Sequence, residues 1–160
     1  MTAKLLPLLI VSLAAVAFSA RGGDLPDLSK TPGASRALST KTICATKWGA
    51  DARHVSAAMK QQAFANYGYT GNTDPKCVPD SSGRHCEIDH LVSRELGGDD
   101  VVENLWPQSY GSQPWNAVRK DKLENRLHKE VCARHLTLKA ARQMIVTDWT
   151  AAYLKYYPHP

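Results

Sequence analysis

The chain has 160 residues, 43% of them hydrophobic, with 20 Lys and Arg against 15 Asp and Glu, for a net charge of +5. That length suits one domain with a real core and excludes two substantial ones. The mild basic excess is compatible with a polyanionic partner, and the one long apolar run, Leu5 to Phe18, is too short to span a bilayer.

Lys4 ahead of that run and the small residues Ala15, Ala17 and Ser19 at its end give residues 1–19 the pattern of a signal peptide. Its removal takes away one lysine, leaving a mature charge near +4, from 19 basic and 15 acidic residues. Residues 20–41, rich in Gly, Pro, Ser and Thr, read as a flexible linker, and 42–160 as the globular domain. Ser56 is placed to cap a helix running from Ala57 to Asn66, with Gly68 as its stop. A loop-like stretch follows to Gly83, then a short alternating strand from Cys86 to Val92. Gly97-Gly98-Asp99-Asp100 turns the chain into a second strand, Val101 to Trp106, ended by Pro107.

Pro114 fits the first turn of a long basic helix beginning near Asn116, whose inward stripe is Leu123, Leu127 and Val131. Thr137 reads as the cap of a final helix that buries Ala141, Ile145, Trp149 and Ala152. The expected fold class is α+β, a small antiparallel hairpin with flanking helices. Trp48, Trp106, Trp115 and Trp149 are most simply core residues, with base stacking an alternative for Trp115.

The four cysteines, Cys44, Cys77, Cys86 and Cys132, lack zinc-finger spacing, and an exported chain favours two disulfides. Three pairings are open. The short polar loop between Cys77 and Cys86 favours joining those two, which leaves Cys44 and Cys132 to tie the amino-terminal arm to the long helix.

The chemistry concentrates at Asp89-His90, where the strand ends. Adjacent strand residues face opposite ways, so the two meet at one spot only where the strand ends or twists, as the Gly-rich loop after His90 permits. Asp89 is then a metal ligand and His90 a general base, because a neutral imidazole accepts a proton near neutral pH. Asn104 can bond backbone across the loop and steady it. Asn116, in the first turn of the long helix, points inward by helical geometry and is the second metal ligand. The alternative is a hydrogen bond from the helix start to a neighbouring loop. His128 lies about 18 Å further along that helix, too far to share an ion with Asn116, and is set aside as a surface or structural residue. Lys120 and Arg119 near the helix start, with Arg94 beside the strand, are candidates for holding a phosphate, and Glu87 points outward.

Taken together, Glu-Ile-Asp-His-Leu-Val, Glu-Leu-Gly-Gly, Glu-Asn-Leu-Trp-Pro-Gln and Lys-Asp-Lys-Leu-Glu-Asn resemble an exported bacterial branch of the HNH endonucleases, which have a ββα-metal fold. The resemblance runs from Glu87 to about Leu127. It implies that His90 is the general base, Asp89 a metal ligand, Asn104 the asparagine that steadies the loop, and Asn116 the replacement for the family's final histidine. Such oxygen ligands favour one Mg²⁺, or Mn²⁺, over Zn²⁺. The family implies double-stranded DNA as substrate. The small domain leaves little room for a recognition module, so low specificity is expected, and the leader implies a protein, expected to be a monomer, in the periplasm or outside the cell. The competing expectation is a non-catalytic exported binding domain on the same scaffold.

Overall fold

The computed structural model describes residues 25–47 and 50–159. The expected signal peptide and Trp48 lie outside the described residues. Among these residues the fold is α+β: four helices and one two-stranded antiparallel sheet.

Helix α1 spans Thr40–Ala45 and α2 spans Ala57–Asn66. Each starts at a serine, Ser39 and Ser56, whose hydroxyl accepts a bond from a backbone N–H that the first turn leaves free. Strand β1 is Cys86–His90 and β2 is Leu105–Ser109, registered so that Asp89 faces Trp106 and Glu87 faces Gln108. Helix α3 is Ala117–Cys132 and α4 is Leu138–Tyr156. α4 is broken at Asp148, whose extended backbone lets its carboxylate cap the following segment by accepting from Thr150 and Ala151.

The hairpin lies between two apolar clusters. Cys86, Ile88 and Leu105 pack with Ala63 and Phe64 of α2, while Trp106 packs with Leu123 and Leu127 of α3 and Ile145 and Trp149 of α4. Residues opposed across an antiparallel pair share a face, so Glu87 and Asp89, paired with Gln108 and Trp106, lie on the α3 side. The hairpin therefore carries its acids into the interface with the helix.

Three expectations change and one of two alternatives, for Trp115, is decided. Residues 25–41 are not a loose linker. Thr31 is fully buried, Gly33 donates to Glu103 O at 3.0 Å, Arg36 donates to Gly97 O at 2.8 Å, and Ser35 bridges Gly98. An extended polar segment can pair its backbone with a loop as well as with water, and this one does so along the Gly97-Gly98 turn. The second strand begins at Leu105, not Val101, because Val102–Asn104 forms a 3-10 turn, and Pro107 sits within the strand opposite Ile88. Pro114 precedes α3 instead of opening it. Trp115 packs edge-on against Trp149 and Tyr153, both at 5.6 Å, which makes it a core aromatic.

Both disulfides pair as favoured from the loop length, Cys77 with Cys86 and Cys44 with Cys132. The first closes the loop ahead of β1. The second fastens α1 to the end of α3, beside the buried Ile43.

Candidate active site

A cavity of about 1000 Å³ opens between the end of β1, the outer side of α3 and the arm that carries α1. Asp89 and His90 line it from the strand, Asp121, Glu124, Asn125 and His128 from the helix, and Arg53 and Arg94 from the opposite rim. Positions 121, 125 and 128 follow the i, i+4, i+7 rule for one helical stripe, adjacent to the Leu123 and Leu127 stripe that faces the core. A helix buried on one stripe thus offers the next one to the cleft.

His90 is the last residue of β1 and is 4% exposed. Its Nε2 lies 2.7 Å from Asp100 Oδ1, and the other oxygen of Asp100 accepts from the backbone N–H of His54 at 2.6 Å. Burial would raise the Asp100 carboxyl, but the His54 N–H and the imidazole hold it below the ordinary carboxylate value, so it is ionised. An ionised carboxylate can only accept; Nε2 therefore carries the hydrogen and Nδ1 the lone pair. Burial pushes the imidazole below its usual value, with Arg53 adding to the effect and Asp89 and Asp100 opposing it. His90 is consequently a neutral base at neutral pH.

Asp89 has one oxygen committed. Its Oδ2 accepts from the Nζ of Lys120 at 2.6 Å, and Lys120, with no exposed surface, also donates to His90 O at 2.6 Å and to the Glu124 carboxylate. Burial alone would lower the Lys120 ammonium, but Asp89 and Glu124 hold it well above the ordinary lysine value. One cation against this many acids leaves excess negative charge. Burial, followed by the charge of Asp89, raises Glu87 to about 7 and Asp121 to about 6, and burial raises Glu124 well above its usual value. Such mutual repulsion is what a bound cation relieves, although no three of these carboxylates bring ligand oxygens within 4.8 Å of one another. Asp89, Asp121, Glu124 and Asn125 are oxygen-bearing side chains that line this part of the cleft.

The Gly97-Gly98 turn holds the histidine loop closely. A Cβ on Gly98 would lie 1.8 Å from Val92 O, and Gly97 has φ +78°, so neither position accepts a larger residue without moving the loop. Asn104, fully buried, completes the loop. Its Oδ1 accepts from Val92 N and Ala34 N, and its Nδ2 donates to Val92 O and Asp99 O. Asn104 thus bonds backbone groups on both sides of the loop that follows His90, with both atoms of its amide in use.

Several predicted site residues lie elsewhere. Asn116 is the N-cap of α3: its Oδ1 accepts from Arg119 N at 3.1 Å and its Nδ2 donates to Ser112 O at 3.2 Å. It is buried, as the inward reading expected, and its bonds are those of the alternative, a helix-start hydrogen bond to the neighbouring loop; its backbone is extended, φ -156°, as in a cap. Asn116 is not among the cavity-lining residues, and the site sits one to three turns further along the helix. His128, set aside as a surface or structural residue, lines this cleft. Lys120 is sealed in the interior and cannot meet a phosphate, while Arg119 donates to Gln113 and to the backbone of Pro114, outside the cavity. Arg94 does face the cleft, but its guanidinium is paired with Asp51 at 3.1 Å. Glu87 is half-buried on the face of Asp89, not turned outward, and accepts from the Tyr110 hydroxyl at 2.6 Å.

The residues missed were Asp100, Arg53, Asp121, Glu124 and Asn125. The helical stripe was readable from spacing once the helix start was known. Arg53, which donates to Ile88 O at 2.6 Å, had no sequence signal because the arm reaches it only by folding back. No family model, curated protein or solved structure matches this chain.

Proposed function

We propose that the protein is a metal-dependent endonuclease that hydrolyses DNA phosphodiester bonds with low sequence specificity, a member of the HNH group whose ββα-metal unit is β1, β2 and α3. The observation that carries this reading is the His90–Asp100 pair, a neutral imidazole with a free Nδ1 beside Asp89 in an acid-rich cleft. The element order, hairpin then helix with Asp89-His90 closing the first strand, supports it as well.

In this mechanism Nδ1 of His90 takes a proton from the attacking water. The resulting imidazolium is stabilised by Asp100, which keeps Nε2–H in place, and by the nearby charge of Asp89. Asp89, Asp121 and Asn125 would hold one hard divalent cation, Mg²⁺ or Mn²⁺, which supplies charge stabilisation to the phosphate and its departing oxygen. Lys120 holds Asp89 by Oδ2, and Oδ1 is the oxygen it does not take. Arg53, anchored on Ile88 O, has guanidinium N–H groups to spare for a phosphate oxygen. Two disulfides, and no helix among the described residues long and apolar enough to cross a membrane, are consistent with work in the periplasm or outside the cell.

One observation favours the second reading, a non-catalytic exported binding domain: Lys120 already pairs with both Asp89 and Glu124, as in a purely structural ion cluster. Plasmid nicking separates the two. The nuclease reading expects nicking with Mg²⁺, none with EDTA, and its loss in His90→Ala. A plasmid left intact with every divalent ion tried would establish the binding domain instead.

A further inference from the structure

The cleft ends, beyond Asn125, on a group that the hydrolytic reading leaves unused. His128 and Cys132 stand one turn apart on α3, and Cys44 of α1 is bonded to Cys132. The ligand atoms of Cys44, His128 and Cys132 all lie within 4.8 Å of one another, a closeness that no other three His, Cys, Asp or Glu side chains reach among the described residues. His128 Nε2 is 3.5 Å from Cys132 Sγ. A tetrahedral zinc with ordinary Zn–S and Zn–N bonds has an S···N edge of about 3.6 Å, so this one edge already has the length a shared ion needs, while the two sulfurs must part to complete the site.

Two further observations bear on this spot. Ile43, next to Cys44, is 4% exposed and packs in the main core with Leu127 and Val131, so α1 has an anchor besides the disulfide. Glu95 lines the same cavity within electrostatic reach of His128, and its Oε2 is buried with no hydrogen-bond partner. An unpaired buried carboxylate oxygen is costly unless something polar arrives to meet it.

We propose that opening the Cys44–Cys132 bridge converts this end of the cleft into a zinc site, with the two thiolates and His128 Nε2 as ligands and water in the fourth position. The opening is a thiol–disulfide exchange with a dithiol donor. The donor's sulfurs close their own disulfide, the Cys44–Cys132 bond breaks, and each cysteine sulfur takes a proton. Zinc then displaces both protons to solvent, because the thiolate is the ligand. Glu95 Oε2 is the acceptor for the zinc-bound water. Sulfur ligands select zinc over the hard ions that suit the oxygen donors at the other end of the cleft. The inference does not depend on nuclease activity.

The test is a Co²⁺ titration of the protein reduced with a phosphine, with folding followed by near-ultraviolet circular dichroism. The folded, reduced protein should show a thiolate-to-cobalt charge-transfer band, absent before reduction and bleached by one equivalent of Zn²⁺. His128→Ala should weaken cobalt binding by about tenfold or more, the scale on which zinc sites respond to loss of a supporting group. Absence of the band from the folded, reduced protein overturns the proposal. So does a band that survives Cys44→Ser with Cys132→Ser, since it would belong to Cys77 and Cys86. Should reduction unfold the chain, Cys44→His supplies the same answer without reductant: it frees the Cys132 thiol while Cys77–Cys86 stays closed. A folded Cys44→His protein that binds cobalt through one thiolate supports the site, and one that shows no thiolate band overturns it.

Discussion

Asp100 holds His90 by its Nε2 at 2.7 Å while also accepting from the backbone N–H of His54, so one carboxylate joins the imidazole to the arm that walls the cleft. In Asp100→Asn the amide can donate to Nε2 and leave the hydrogen on Nδ1, the wrong tautomer for a base. Nicking should fall by roughly 10²- to 10⁴-fold with little change in DNA binding. The pH midpoint of the residual activity, below the ordinary histidine value in the parent, should move further toward acid because an opposing negative charge has gone. Equal activity and an unmoved midpoint would show that Asp100 does not position the base.

The proposed placement of the cation on the Asp121, Asn125 stripe is distinguishable from one at the helix start. Asn125→Ala and Asp121→Ala should each raise the Mg²⁺ concentration needed for half-maximal nicking by tenfold or more, on the order of 1.4 kcal/mol. Asn116→Ala should cost about 1 kcal/mol of stability through loss of the cap and leave the Mg²⁺ requirement of the folded protein unchanged. Denaturant unfolding beside metal titration checks both halves.

Lys120 is the one cation among buried acids, so its removal leaves Asp89 and Glu124 facing each other without neutralisation. Lys120→Met should destabilise the fold by about 3–5 kcal/mol at neutral pH. The loss should shrink in acid, where the carboxyls take up protons. A uniform loss at every pH would point to packing rather than charge.

Glu87 sets a pH dependence of the opposite sense to that of His90. Its folded pKa, about 7, lies above the ordinary 4.5, so its contribution is fully present below 4.5 and is lost as the pH rises to about 7. His90, shifted down from 6.5, contributes stability above that value which is lost as the pH falls through its lowered pKa. The Glu87→Gln protein, unfolded without divalent ions, should therefore gain on the parent by on the order of 1–3 kcal/mol between pH 4.5 and 7. A stability difference that is flat across that range would remove the raised carboxyl from the account.

The two disulfides should contribute unequally. Cys44–Cys132 closes a separation of 88 residues and Cys77–Cys86 one of only 9. Loop entropy assigns about 4.6 kcal/mol to the first and about 2.6 kcal/mol to the second. Paired Cys→Ala variants, compared by denaturant unfolding, should lose stability in that order.

Local signals in the sequence determined α2, the buried stripes of α3 and α4, and the strand that ends in Asp89-His90. Each depends on neighbours within a few positions: Ser56 and Thr137 cap their own helices, and Leu123, Leu127 and Val131 recur with the helical period. The favoured cysteine pairing was legible for the same reason, since Cys77 and Cys86 flank one short loop. Tertiary structure alone decided which helical residues meet the histidine. The start of α3 at the Asn116 cap and its buried stripe were as expected, but which turn of the helix lies beside His90 depends on how the hairpin packs along it. It also folded residues 25–47 and 50–54 back beside the hairpin and its loop, so that Thr31 is buried, His54 reaches Asp100 and Arg53 reaches Ile88. No period or composition records such contacts, because hydrogen bonds between segments dozens of residues apart depend on how the chain closes.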